Sequence, residues 1–486
     1  MSGARKADGG WTVSVPSHVV AHLSGWGPML KRAVEQGFRC WLDRNPGTMQ
    51  PAGKANSCAL VGTDFSGIEA PIWALRELGI RFRHVFACER KAGPRSIAAW
   101  NTPAEITFND ILRRPVDQVP QVNMYISGFP CTPFSTLHNR TRLMQDRNAK
   151  QFRASVKTLH HIKPPVAIFE NVLGARRVLN VILRALRRNG EYKVMTVEMN
   201  AAHLGEPQHR PRLYFICVRS DVAVGSEKDM QDLAEFVWQS LRAPKPRSCD
   251  SQLLPSCHPL VVADSAKPRT SQSTPRQSQQ GWKAQHEAVL LRPCAKGAGQ
   301  IGGTTLPTGT ELGLRTPREL DAWAHICRAY KHGPLCVDIS QSLGRGIRID
   351  GASPTVTLAR RFVVVCGHVR RQLVAIEKLM LQGFPVHQMR FPSTCTSNAL
   401  GACGGNAMSI KCVAVAILLA LTLVTDINSR IPGHGGVTPE LAHNRAKQSR
   451  RKRTHGGLTP QPAAHKRARN RLPPGQDAPC LESLFG

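Results

Sequence analysis

The sequence predicts an α/β fold, a doubly wound and mostly parallel sheet interrupted by a loop-rich insertion. From about Cys58 to Arg219, short apolar runs alternate with amphipathic helical stretches; from about Ser220 to Gln341 a Ser, Pro, Gln, Lys and Arg-rich texture breaks the alternation; apolar order then resumes with "SPTVTLARRFVVVCGHV". Ligands of such sheets bind beyond the carboxyl ends of the strands, so polar residues there are the first candidates for chemistry. The 486 residues, 41% hydrophobic, suffice for a large core, and a formal net charge of +32 calls for a polyanionic partner. Nucleic acid leads and an anionic membrane surface comes second.

Residues 1–57, with "WTVSVPSHVVAHL", form an unassigned extension, and the core begins at residue 58. "CALVGTDF" reads as the first strand, and "VGTDFSGIEAP" places Asp64, Phe65 and Gly67 in a tight turn before the helix "APIWALRELG". "RHVFACE" ends the second strand at Glu89, a position from which an acid can bind ribose hydroxyls, and "TFND" offers Asp110. Together they describe a nucleoside-type cofactor with no pyrophosphate to hold.

The next run, "VNMYI", leads into "SGFPCTPFS", where Pro130 and Pro133 fix φ around Cys131 and Gly128 frees the strand end of a side chain. An isolated cysteine is usually a small buried hydrophobe, but a preset loop suits a nucleophile that must approach one atom. "VAIFENV" places Glu170 and Asn171 at the neighbouring strand end, either facing the same crevice or capping the helix that follows. "VLNVILRALRRNG" is helical and "KVMTVEMN" a strand. In "EPQHRPRLYFI", Arg210 and Arg212 stand two apart at a strand entry, which predicts both side chains on one face, able to share an acceptor.

The core is expected over 58–221, an insertion over 222–345, a return to the core over 346–425 and a basic tail over 426–486, with "KQSRRKR" and "HKRARNR". "CVAVAILLALTLV" (Cys412–Val424) is too short to span a bilayer comfortably and reads as a buried helix, so no membrane partner is expected. Fifteen cysteines, dilute and odd in number, suggest free thiols in a reducing compartment; no metal is expected, nor a secretory signal.

The ordered set "DFSG", "ACE", "ND", "GFPC", "ENV", "QHRPR", "LQGFP" and "GNAMS" resembles the motif series of the carbon-5 cytosine DNA methyltransferases, from Asp64 to roughly Val424. The resemblance implies the S-adenosylmethionine-dependent methyltransferase fold, with the insertion as target-recognition region. It also implies methyl transfer from S-adenosyl-L-methionine to carbon 5 of cytosine in double-stranded DNA, through a covalent cysteine adduct on a flipped-out base. Cys131 would be the nucleophile, Glu170 the acid beside ring nitrogen 3, Arg212 the cation near the exocyclic oxygen and Arg210 the group orienting the carboxyl. Phe65 would pack on the cofactor above the Gly67 turn, Glu89 hold its ribose, Asp110 contact its adenine, Pro130 lie against its adenosyl side and Asn406 close its methionine end. Gln382, Gly383, Phe384 and Pro385 would organise the recognition region.

The sequence departs from the family pattern at three places. Thr132 follows the cysteine where the family has glutamine. Glu69 replaces the second glycine of the first turn and is expected to crowd the cofactor with negative charge. "MQDRNAKQFRAS" resembles the loop-closing motif, keeping Asp146 and Arg147 but with Asn148 for glycine. Two alternatives remain: a branch of the family that methylates transfer RNA, and a catalytically impaired DNA-binding relative, against which the joint retention of Cys131, Glu170, Arg210 and Arg212 argues. The tail resembles a bipartite import signal, implying an import receptor as partner and a nuclear location.

Overall fold

Seven strands pair into one sheet in the computed structural model, which describes residues 9–49, 58–130, 149–265, 279–290, 306–330, 333–357 and 361–429. They are β1 (Ala59–Asp64), β2 (Phe82–Cys88), β3 (Ile106–Phe108), β4 (Met124–Ser127), β5 (Val166–Val172), β6 (Tyr192–Asn200) and β7 (Pro211–Arg219). Their spatial order is β3-β2-β1-β4-β5-β7-β6, parallel except for β7, which runs antiparallel to both neighbours. The chain builds outward from β1 to β3 and then returns to lay β4 on the other side of β1. A crevice therefore opens between the carboxyl ends of β1 and β4, the switch point at which open α/β sheets bind ligands.

The apolar runs are continuous because both faces are covered. Alternate residues feed opposite cores: Met124, Ile126, Val166, Ile168, Tyr214 and Ile216 join one cluster, while Tyr125, Ala167, Phe169, Leu213 and Phe215 join the other. The Ile410–Thr422 helix fills the first face, with every residue from Ile410 to Ala420 buried, as the apolar run from Cys412 predicts, and with Lys411 paired to Glu206.

Three boundaries differ from the sequence expectation, those at 57, 221 and 345. The N-terminal extension is part of the main core: Gly10–Trp11 pairs with Phe391–Pro392, Trp11 stacks on Phe391 at 4.6 Å, and the Gly27–Arg44 helix buries Val34 and Trp41. Gly27 is required there, since a Cβ would lie 1.7 Å from the Glu77 carbonyl oxygen. On the far side of residue 221, the Glu227–Ser240 helix, capped by Ser226, buries Met230, Leu233, Val237 and Trp238 in the same core.

The insertion carries a smaller antiparallel sheet of β8 (Leu335–Asp338), β9 (Ile347–Arg348), β10 (Phe362–Cys366) and β11 (Val369–Gln372), in the order β9-β8-β10-β11. Leu335 and Val337 of β8 pack with Val363 and Val365 of β10 and with Trp323 and Ile326 of the Pro317–Ala329 helix, which starts in a Thr316/Glu319 capping box. The smaller sheet thus spans the expected boundary at 345, and the chain re-enters the main core only near the Ala375–Met380 helix. Cys131, Thr132, Asp146, Arg147, Asn148 and both basic clusters of the tail lie outside the described residues.

Candidate active site

The strand ends meet as the sequence predicts. Asp64 of β1 pairs with Ser127 of β4, and Ser127 with Phe169 of β5, so the turn after β4 lies beside Glu170. The Gly128 amide donates to the Asp64 carbonyl at 3.3 Å. A Cβ at Gly128 would sit 2.7 Å from the Met408 methyl carbon and 3.9 Å from Glu170 Oε2, so glycine is what lets three segments converge. Phe129 then anchors the turn: its ring lies 4.8 Å from that of Phe152, and its carbonyl accepts from Asn171 Nδ2 at 2.9 Å. Pro130 follows, and the chain leaves this anchored point directly into Cys131.

Glu170 is nearly buried, and Arg212 Nε lies 3.1 Å from its Oε1. The register of β5 and β7, Val172 opposite Arg212 and Glu170 opposite Tyr214, makes the two side chains diagonal neighbours on one face. Arg210 does not share that face. The strand begins at Pro211, so Arg210 is outside strand geometry and turns inward, donating to the carbonyls of Val356 at 3.0 Å, Gly405 at 3.2 Å and Ala407 at 2.7 Å. It therefore braces the "GNAMS" segment, and the guanidinium paired with Glu170 is that of Arg212, a correction to the expected division of labour. Gln208 and Gln382 complete the brace: Gln382 Nε2 donates to the Gly404 carbonyl at 2.9 Å and to Gln208 Oε1 at 3.3 Å.

The first turn lies across the crevice. Phe65, Gly67 and Glu69 all have positive φ (54°, 56° and 66°), giving a tightly coiled entry to the Ala70–Glu77 helix. Glu89 supports it from the end of β2, accepting from the amides of Gly67 at 3.1 Å and Lys91 at 2.8 Å. Asp110 closes its own turn by accepting from the Leu112 amide at 3.0 Å. Phe65, Ser66, Gly67, Gly128, Glu170, Asn406 and Met408 line one cleft.

Two features escaped the sequence reading. Asp64 is fully buried and held by Arg114 through two bonds of 2.7 and 2.8 Å, and by the Tyr125 hydroxyl at 2.5 Å. Arg114 also donates to Thr158 at 2.9 Å and lies over the rings of both Phe86 and Phe108. Burial works against its charge, but the Asp64 carboxylate more than offsets this and leaves the Arg114 pKa raised. Nothing in "NDILRRPV" marks one arginine as internal. The second is Glu69: its side chain goes beneath the turn, where its Oε1 lies at hydrogen-bond distance, 3.0 Å, from Thr63 Oγ1, instead of into the cleft. Burial pushes its pKa up to about 8, so near neutral pH it adds no charge, contrary to the expectation from its position. Among the described residues no group of three or more His, Cys, Asp or Glu could hold a metal ion.

Comparison with known proteins agrees with the motif order. Residues 64–421 match the family model of the C-5 cytosine-specific DNA methylases. The orphan methyltransferase M.SPRI of Bacillus phage SPR is 31% identical over 170 residues, 34% of this chain and 38% of that protein. DNA (cytosine-5-)-methyltransferase DMT5 of Cryptococcus neoformans is 25% identical over 445 residues, 80% of this chain but 18% of that much longer one. The crystal structure of S. pombe Dnmt2 methyltransferase aligns over 75% of this chain and 98% of its own with a TM-score of 0.45 and 17% identity. The stretches matched in M.SPRI and in the type II methyltransferase M.MspI of Moraxella span 38% and 28% of those proteins. On the extent of the family match, the chain belongs to the C-5 cytosine-specific DNA methylase family.

Proposed function

We propose that this chain methylates carbon 5 of cytosine in duplex DNA with S-adenosylmethionine as donor, by way of a covalent Cys131 adduct on a flipped-out base. The observation that carries the reading is the convergence in one cleft of the first turn, the Gly128 entry to the proline-cysteine loop and Glu170, whose carboxylate is paired with Arg212.

The residues present fit the cofactor. Among the described residues the cleft lining includes no Lys or Arg, Arg114 and Arg212 being engaged with Asp64 and Glu170 outside it, so it offers no cation to hold a pyrophosphate. Among the described residues nothing lies within 4 Å of where a Gly67 Cβ would be, and each Glu89 oxygen, though engaged by an amide, keeps a lone pair for a ribose hydroxyl. Phe65 and Asn406 would bound the two ends. Bound there, S-adenosylmethionine supplies an electrophilic methyl group.

Cytosine carbon 5 is a poor nucleophile until a thiolate adds to carbon 6, the role of Cys131. The charge that develops on the ring needs a hydrogen-bonding partner at nitrogen 3 and a cation near the exocyclic oxygen, which Glu170 and Arg212 supply as a preassembled pair. Arg210 acts at one remove, keeping the Gly405–Ala407 wall in place. None of the reacting atoms is reachable within a stacked duplex, hence the flipped base. The net charge of +32 would hold the phosphate backbone, and the basic tail would in addition bind an import receptor and direct the protein to the nucleus.

Duplex DNA carrying 5-fluorocytosine tests the reading, because elimination is blocked and the adduct accumulates. A denaturant-stable protein–DNA band that requires S-adenosylmethionine and disappears in Cys131→Ser is the expected result. Equal trapping by the serine variant overturns it.

A further inference from the structure

Glu69 stands where the backbone favours glycine, with φ 66° and ψ 50°, yet its carboxyl is entirely buried. Its surroundings can be counted proton by proton. His84 Nδ1 lies 3.0 Å from the Thr102 carbonyl, which can only accept, so Nδ1 carries the hydrogen and the neutral ring leaves Nε2 as an acceptor. Thr63 Oγ1 sits between that Nε2, at 3.3 Å, and Glu69 Oε1, at 3.0 Å. One hydroxyl hydrogen cannot serve both. If Glu69 carries a proton, every link is satisfied: Glu69 donates to Thr63, Thr63 to His84 and His84 to Thr102. If Glu69 is ionised, Thr63 must donate to it, His84 Nε2 loses its donor, and Oε2 makes no hydrogen bond among the described residues, which leaves the Ser66 hydroxyl as the one further group opposing the burial of the charge.

We propose that Glu69 is a proton-bearing positioning residue, which as a neutral acid locks the Phe65–Glu69 turn onto β1 and β2 in the shape that receives the methyl donor, and releases it on losing its proton. The turn is short enough to transmit the change: the Glu69 amide donates to the Ser66 carbonyl at 2.8 Å, and Phe65, Ser66 and Gly67 line the cleft. The inference rests on the cleft being the S-adenosylmethionine site.

The charges around Glu69 favour the protonated form. Burial raises its pKa to about 8 against the hydroxyls of Ser66 and Thr63, and the carboxylates of Glu89 and Asp64 raise it further. Burial pulls His84 down to about 4, so its ring is no countercharge near neutral pH. Arg76, on the same helix, lies over the Trp73 ring. Of the two helices packed across it, Gly27–Arg44 buries only uncharged residues, and Lys411 of Ile410–Thr422 is paired with Glu206.

Binding of S-adenosylmethionine to the full chain, measured by calorimetry from pH 6.5 to 9.5 for wild type and Glu69→Gln, tests this. The ligand's own amine titrates identically in both arms, so the ratio of the two dissociation constants isolates Glu69. That ratio should be flat below pH 8 and then grow toward about tenfold per pH unit as wild type alone loses affinity. A ratio constant within about twofold throughout overturns the inference while leaving the cofactor site standing. No binding by wild type at any pH overturns the site itself and this inference with it. Should the variant not fold, infrared difference spectra of unliganded wild type between pH 7 and 9 must show loss of a protonated-carboxyl stretch, and its absence is equally fatal.

Discussion

Replacing Arg114 with leucine should be among the most damaging single changes in the chain, although Arg114 touches no substrate atom. The guanidinium gives Asp64 two bonds of 2.7 and 2.8 Å in a setting where both side chains are almost wholly buried. Leucine fills much of the space over Phe86 and Phe108 but leaves the carboxylate with the Tyr125 hydroxyl alone. Orphaning one partner of a buried ion pair costs about 3–5 kcal/mol, more than the transfer gain from a leucine of similar size returns. Urea unfolding followed by circular dichroism measures the loss, and a double-mutant cycle with Asp64→Asn identifies its origin. Since most of the penalty is the uncompensated charge, Asp64→Asn/Arg114→Leu should be more stable than Arg114→Leu alone by roughly 1–3 kcal/mol. A single-variant loss under about 1 kcal/mol, or a double variant no better than the single, would refute the reasoning.

Glu89→Ala removes the acceptor for the Gly67 and Lys91 amides as well as the proposed ribose contact, and should weaken S-adenosylmethionine binding by roughly 1–3 kcal/mol in calorimetry with DNA affinity little changed. Arg212→Met should lower kcat for methyl transfer by about 10²–10³ while cofactor affinity, titrated separately, stays near wild type. Stability should depend on pH in a defined window. Glu69, raised to about 8, stabilises the fold below the ordinary carboxylate range and loses that contribution as pH rises toward 8; His84, lowered to about 4, contributes above 6.5 and loses it as pH falls. The two slopes oppose each other below pH 6.5, so from 6.5 to 8 wild type should lose about 2 kcal/mol in urea titrations that Glu69→Gln does not lose. Deleting residues 440–486 should shift a fluorescent fusion toward the cytoplasm and leave methylation of short duplexes in low salt nearly intact.

The sheet was legible because most of its strands are short, two-sided apolar runs that end at a polar residue, as in "ALVGTD" and "VAIFEN". The N-terminal extension was not, because its buried residues, Trp11, Val19, Trp26, Val34 and Trp41, are scattered among polar ones and find partners hundreds of residues away, Trp11 on Phe391 for example. Glu170 and Arg212 could be placed together from their motifs. Arg210 was misread because Pro211 starts the strand, so a spacing of two does not there mean one face. Glu69 was misread for a related reason: a residue's position in a turn does not reveal that its side chain passes beneath the backbone into a pocket built by Thr63 and His84. Arg114 illustrates the limit. It is one of 65 lysines and arginines, and only the tertiary fold brings Asp64, Tyr125 and Thr158 around it.

The central claim is tested most directly by transfer of a labelled methyl group from S-adenosylmethionine, with the purified 486-residue chain and its Cys131→Ser variant, to unmethylated duplex DNA, hemimethylated duplex DNA and transfer RNA in parallel. The account predicts label at carbon 5 of cytosine in at least one duplex, none above background in transfer RNA, and none anywhere with the serine variant. Label confined to transfer RNA, or turnover by Cys131→Ser close to the wild-type rate, would contradict it.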